Sequence, residues 1–376
     1  MSEITVIEVK TPKQMMDFIR FPMWLYKNNK NFVPPLIRNE KDYWNPSLNP
    51  ALSHAETQLF LAFKNNKIVG RIAVMLNHLE LKETGESKVR FGWIDFIDDK
   101  AVSAALMETA ENFARRHGIS KIEGPMGFTN LDKAGVLTLG FDKPATMIGI
   151  YNAEYYAVHF ENLGLTKEKE WVEYELIFPD ELPEKVTRFN TLIKEKYGLK
   201  VMNFKSKKDF LQLADAMFIL LDETYKHLST YTPLTEAQIK TYKEKYFPLL
   251  DKDFVICIAD AQNQLIAFAV TMPSYSDALR KANGKLFPLG WWHLLNAAKN
   301  NDRANFYLIG IHPEYQKRGV TSIIFKEMFE VFKKKGIRYL ETNPELEDNK
   351  AIQLLWQDYH PVNHKRRRTY SKTLTL

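Results

Sequence analysis

Two stretches of the chain, far apart in sequence, carry the same succession of patterns, and that repetition limits the fold more than any other feature. In the first, apolar runs at 57–63 and 68–74 flank Lys64-Asn65-Asn66-Lys67 and read as a β-hairpin. A strand at 91–96 and a helix over about 101–117 follow, with Val102, Leu106, Ala110 and Phe113 on one face. In the second, runs at 254–259 and 265–270 form the hairpin. A strand at 305–311 follows, then a helix over about 320–335 with Ile324, Phe325, Met328 and Phe332 on its face. Both helices leave through basic residues and a glycine, Gly118 or Gly336, straight into another strand. Strands joined through a helix lie parallel in one sheet. A further helix follows each unit, at 151–163 and 349–359.

The repeat predicts an α/β (α+β) chain of two tandem domains. Each has a mixed, mostly antiparallel sheet with one parallel strand pair and helices on both faces. The expected division is 1–180, a connector helix at 181–198 opened by Pro183, and 199–376. A length of 376 residues and a 45% hydrophobic content suit two cores. The single cysteine, Cys257, sits in an apolar run, excludes an internal disulfide framework and fits a reducing cytoplasm. The N-terminus lacks a signal-peptide pattern, no uncharged run is long enough to span a bilayer, and no membrane role is expected. A net charge of +6 permits anionic small molecules and does not point to nucleic acid. The basic run Lys365-Arg366-Arg367-Arg368 reads as a solvated edge of a terminal strand. No histidine spacing suggests a metal.

The two copies differ after their third strand. The second reads Ile309-Gly310-Ile311-His312-Pro313-Glu314-Tyr315-Gln316-Lys317-Arg318-Gly319-Val320, a buried strand, a polar turn with a glycine, and a helix start. Helix-start N–H groups carry partial positive charge, a glycine admits close approach, and two cations stand beside them. This suits a phosphate or pyrophosphate. The first copy has Asp98-Asp99-Lys100-Ala101 there, whose carboxylates suit a helix start and repel an anion.

In this setting Gln316-Lys317-Arg318-Gly319-Val320-Thr321 resembles the motif of the GNAT acyltransferase superfamily: Gln or Arg, two variable residues, Gly, one variable residue, then Gly or Ala. Thr321 departs from the last position. The resemblance covers most of the chain, with a degenerate N-terminal copy, and in broad plan extends to peptidoglycan aminoacyl transferases and N-myristoyltransferases. It implies that 316–321 wrap the pyrophosphate of acetyl-coenzyme A or another acyl-coenzyme A. It also implies that Leu308, Gly310 and Ile311 line the thioester arm, and that Asn349 matches a polar position at the start of a later helix. The implied reaction is acyl transfer, most simply acetyl transfer, to a small-molecule or peptide amine by direct attack in a ternary complex. The first domain would wall the acceptor site, in a monomer or a homodimer.

Such a reaction needs a base for the amine and an acid for the departing thiolate. Many relatives use a tyrosine at a position that is Leu355 here, and Tyr359, one turn on, is the acid candidate. Glu341, on the strand after the helix, is the base candidate, with Glu345 and Glu347 following it. Tyr225 and Tyr231, in the aromatic stretch 223–234, and Tyr275, in the long 272–305 connection, are candidate substrate contacts. Trp291-Trp292-His293-Leu294-Leu295 in that connection reads either as a pocket lining or as a surface buried against the other domain. His312 reads as a turn residue. Two other functions stay open: a non-catalytic module that binds coenzyme A or a protein, and an aminoacyl transferase of the tandem type.

Overall fold

The computed structural model describes residues 3–182, 184–226 and 231–376; Pro183, expected to open the connector helix, and 227–230 of the aromatic stretch lie outside them. In chain order the elements are β1 (Ile4–Glu8), α1 (Pro12–Leu25), α2 (Ile37–Tyr43), β2 (Ala55–Lys64), β3 (Lys67–Asn77), α3 (His78–Thr84), β4 (Val89–Phe96), α4 (Lys100–Arg116), β5 (Lys121–Gly124), β6 (Val136–Leu139), α5 (Tyr155–Asn162) and β7 (Thr166–Ile177). There follow α6 (Glu184–Tyr197), β8 (Lys200–Val201), α7 (Lys207–Leu211), α8 (Ala214–Tyr225), α9 (Glu236–Lys245), β9 (Val255–Ala259), β10 (Leu265–Pro273), α10 (Ser276–Ala282) and α11 (Gly290–Lys299). The chain closes with β11 (Arg303–Ile311), α12 (Val320–Lys335), β12 (Tyr339–Thr342), β13 (Glu345–Leu346), α13 (Lys350–Gln353) and β14 (Val362–Thr373).

These elements form two compact units. One holds Met1–Val172, Tyr275–Leu294 and His364–Leu376, and the other holds Glu173–Ser274 and Leu295–Asn363. Contiguous cuts at 180 and 198 do not describe them, because strand pairing draws on distant parts of the chain. In the first unit the strand order is β1-β2-β3-β4-β5-β14-β7, where only the first half of β7 belongs, and β6 also pairs β14. In the second, the rest of β7 leads into β12-β11-β10-β9-β8, with β13 beside β7. The parallel pairs are β4 with β5 and β11 with β12. Each sheet is thus mixed and mostly antiparallel with one parallel pair, as the repeat requires.

Each unit has its own core. Val102, Leu106, Ala110 and Phe113 of α4 join Phe91, Phe96, Tyr156 and Phe160 in one. Ile323, Ile324, Phe325, Met328 and Phe332 of α12 join Ile256, Ile266, Phe306 and Trp356 in the other. Each such aliphatic or aromatic side chain contributes roughly 1.5–3 kcal/mol when fully buried. Cys257 is fully buried in β9, and burial pushes its thiol up to about 12.

The C-terminal basic strand is not an edge. β14 lies between β5 and β7, and Lys365 and Arg367 are each only 1% exposed. Arg366 and Arg368 donate to the buried carboxylate of Glu170 at 2.9 and 3.1 Å, and Arg367 donates to the Ile150 carbonyl. Whether a terminal strand is central depends on its pairing partners, which the order of residues does not display.

Candidate functional site

The site is built on β11. Its antiparallel pairing with β10 runs Ala267 with Ile311 through Val270 with Leu308, then resumes at Thr271 with Phe306, which leaves Tyr307 as the extra residue of a β-bulge. Its parallel pairing with β12 begins at Arg303 with Tyr339 and ends at Phe306 with Thr342. Asn343 marks the divergence. Its backbone N–H donates to the Phe306 carbonyl at 3.1 Å, and its side-chain amide donates to the Tyr307 carbonyl. Beyond that point, 308–311 has a strand on one side only among the described residues. The strand pair therefore opens, and the side of 308–311 turned away from β10 pairs with no strand among the described residues, although Tyr225 hydrogen-bonds the Ile309 backbone and Gln316 donates to the Ile311 carbonyl. A Cβ at Gly310 would meet the Phe268 ring at 2.5 Å, so glycine is what lets that ring lie against the strand.

The loop beyond the strand is braced from within. His312 opens a short helical turn, its Nδ1 accepting from the Glu314 N–H at 3.3 Å, which makes it a turn residue as read. The Gln316 side chain donates to the Ile311 carbonyl at 3.1 Å and ties the loop to the strand end. Lys317 and Gly319 both take positive φ, 62° and 78°. Alternation of this kind turns successive N–H groups toward one side. α12 starts at Val320 with no side-chain cap. Among the described residues, the N–H groups of Lys317, Gly319, Val320 and Thr321 donate to no protein acceptor. A Cβ on Gly319 would stand 2.8 Å from the Phe189 ring and 3.2 Å from Ile193, both on α6. Both backbone sign and space thus demand glycine there. Lys317 and Arg318 are exposed, and the Arg318 guanidinium lies over the Tyr197 and Tyr315 rings at 5.3 and 5.5 Å. Unused amides plus two cations make an anion cradle, and the residues fit a diphosphate.

Glu345 is the second element of the site, and sequence alone ranked it no higher than its neighbours. It is 9% exposed, and its Oε1 accepts from the Trp356 indole at 2.7 Å. Its Oε2 is buried and takes no hydrogen bond among the described residues. Burial pushes the carboxyl up to about 8, an effect that the Trp356 and Thr342 side chains only partly offset. Tyr225, at the end of α8, hydrogen-bonds the Ile309 backbone; burial, with a smaller push from Glu345, raises its hydroxyl to about 12. Such a carboxyl can exchange its proton near neutrality, whereas such a phenol keeps its own.

The remaining predicted residues divide. Tyr231 donates to Asp222, and burial holds its hydroxyl well above the usual range. Tyr275 belongs to the other unit, where it packs against the cluster of Tyr26, Val33, Leu137 and Leu279. Tyr359 lies in the core of the second unit, its ring 5.0 Å from Phe325 and 5.8 Å from Phe178, as an aromatic at helical spacing often does. Glu341 sits within β12 opposite Asn305 and Glu175, where its charge acts on Arg303. The Asn349 side chain caps α13 by accepting from the Ile352 N–H at 3.4 Å. Trp356, the partner that fixes Glu345, escaped the sequence reading because a pair eleven positions apart across two short elements leaves no periodic trace.

Residues 218–357 match the model of the acetyltransferase (GNAT) family. Over nearly its whole length the chain is similar to protein YghO of Escherichia coli, 29% identical over 368 residues that make up 95% of this chain and 92% of that one. It is also similar to a bacterial ceramide synthase of Caulobacter vibrioides, 27% identical over 383 residues, 99% of this chain and 98% of the other. Among solved structures, a tandem GNAT protein from the clavulanic acid biosynthesis pathway superposes with a TM-score of 0.56 at 12% identity, covering 100% of this chain and 99% of that one. A GCN5-related N-acetyltransferase from Sphaerobacter thermophilus superposes with a TM-score of 0.54 at 9% identity, covering 98% and 95%.

Proposed function

We propose that the chain, a tandem-fold relative of the GNAT acetyltransferases, uses its second unit to transfer an acyl group from a coenzyme A thioester to a primary amine. One observation supports this reading: a strand pair that opens at Phe306 and leads directly into a loop where, among the described residues, the N–H groups of Lys317, Gly319, Val320 and Thr321 donate to no protein acceptor. The pyrophosphate rests on those amides with Lys317 and Arg318 beside it. The thioester arm runs along Leu308 to Ile311.

In the reaction the amine nitrogen attacks the thioester carbonyl, the C–S bond breaks, and a thiolate leaves. Ionised Glu345 takes the proton that the attacking nitrogen sheds. The Tyr225 hydroxyl, neutral at any physiological pH, donates a hydrogen bond to the departing sulfur. Glu341 and Tyr359 have no part in this scheme. Because the Glu345 carboxyl ionises near 8, the rate rises with pH and levels off above that value.

The choice of acyl group follows the relatives. Acetyl is the simplest donor for the family, but ceramide is the amide of a fatty acid with a long-chain amino alcohol. The full-length likeness to a ceramide synthase favours a fatty acyl donor and a lipid amine acceptor. Release of free coenzyme A, followed across donors from two to sixteen carbons with sphingoid-type and short amines, tests both. Turnover only with acetyl-coenzyme A and polar amines refutes the lipid assignment; no turnover with any pair refutes the enzyme.

A further inference from the structure

We propose that the first unit docks on the surface of an anionic lipid bilayer through an aromatic tip at residues 287–292. Phe287 is 77% exposed, Leu289 60%, Trp291 46% and Trp292 51%. Neither a pocket lining nor a surface buried within the chain accounts for side chains this open. Trp24, in the same unit, is 55% exposed, and the methyl of its neighbour Met23 lies where a Cβ of Gly284 would come within 2.6 Å. The Ile37 N–H donates to the Gly284 carbonyl at 3.0 Å, and Arg280 donates to the Lys30 carbonyl at 2.5 Å. These bonds bring the segments 23–37 and 280–290 together on one side of the unit.

The tip is rigid rather than loose. The Trp291 N–H donates to the Leu286 carbonyl at 2.8 Å, and its indole donates to the Pro288 carbonyl at 2.9 Å. A Cβ on Gly290 would stand 2.0 Å from the Lys285 carbonyl, so the turn closes tightly. Large apolar side chains are thus held out in water, which is unfavourable until something apolar receives them.

Charge selects the receiver. Lys27, Lys30, Lys281 and Lys285 are all exposed and take part in no ion pair among the described residues. The nearby carboxylate, Asp277, is already bound to Arg280 at 2.7 Å. Indole rings together with several lysines outside ion pairs suit the boundary between headgroups and acyl chains, where an anionic leaflet attracts each lysine. No described helix is long and apolar enough to cross a membrane, so the association is with the surface. The absence of a membrane role read from sequence considered spanning helices only.

The test is vesicle flotation of the full chain with phosphatidylcholine alone and with 30% phosphatidylglycerol. The protein is expected to float with the anionic vesicles, less with the neutral ones, and less again in high salt. F287E combined with W292E should lower the bound fraction at least tenfold while thermal unfolding and coenzyme A affinity stay unchanged. K281E with K285E should weaken binding to the anionic vesicles only. As a second measurement, brominated lipids should quench wild-type tryptophan emission more than that of W292F. Failure to bind either vesicle overturns the proposal. So does a wild-type dimer in light scattering that the same aromatic substitutions convert to monomer, since a second copy would then be what covers the tip. None of these outcomes depends on acyl transfer.

Discussion

The two copies of one unit treat the start of their main helix in opposite ways. In the first, the Asp99 carboxylate accepts from the Ala101 N–H at 2.9 Å and pairs with Lys64 at 2.6 Å, while Asp98 meets His159 at 3.0 Å. The Lys64 hydrogen bond and the helix-start amides hold the Asp99 carboxyl below its ordinary range. In the second, Gly319 occupies the cap position with no side chain to offer, and among the described residues the N–H groups of Lys317, Gly319, Val320 and Thr321 meet no protein acceptor. A helix start that supplies its own anion has no use for another. One that leaves its donors open is stabilised by a ligand instead, and a copy can lose or keep a cofactor through this single position.

The largest effect should come from filling the open cradle. Gly319→Glu places a carboxylate and a Cβ where the backbone φ is 78° and the Phe189 ring stands 2.8 Å away. Titration calorimetry should find no coenzyme A binding, with the thermal midpoint lowered by about 2–4 °C for a loss near 1 kcal/mol. An affinity like the wild type's would refute the loop assignment.

Removing the buried acid should come next. Glu345→Gln should cost about 100-fold to 10,000-fold in kcat with KM for the acyl donor nearly unchanged, and the limb near pH 8 should vanish from the rate profile. Its stability should also respond to pH in a defined direction. A carboxyl raised to about 8 binds more protons folded than unfolded between roughly pH 4.5 and 8, so the wild type loses stability as pH rises through that window. The Gln variant escapes this loss, and chemical denaturation at pH 5 and 8.5 should show its relative stability improving by as much as roughly 4 kcal/mol. A constant difference across that window would show that burial does not control the group.

Two smaller changes sharpen the contrast. Tyr225→Phe should lower kcat about tenfold, through loss of one hydrogen bond to the leaving sulfur, and leave coenzyme A affinity intact. Asp99→Ala should destabilise the first unit by about 1 kcal/mol in denaturant melts and leave acyl transfer unchanged. Coenzyme A binding at the emptied cap of the first copy would support control by this single position, and no binding there would show that the two sites differ in more than their caps.

Much of the architecture was readable in the residue pattern. The hairpins, the strands at 91–96 and 305–311 and the long helices all announce themselves by period, with glycine at both helix exits. The cradle was readable because its chemistry is local: amides, a glycine and two cations within six positions. Glu345 was not, because Glu341, Glu345 and Glu347 look alike in sequence. What separates them is the enclosing core and the Trp356 indole, which lie elsewhere in the chain. The same limit misled the reading of Arg366 to Arg368 and of Trp291 and Trp292, where composition suggested the wrong environment in each direction.

The order of residues therefore determined the repeated topology and the glycine turn that opens α12, since both depend on neighbours along the chain. Only the tertiary structure decided which carboxyl is buried, which basic strand is central and which tryptophans face solvent. Burial is a property of everything that packs around a side chain. It sets the free energy of a charge or an indole through contacts that no sequence interval encodes.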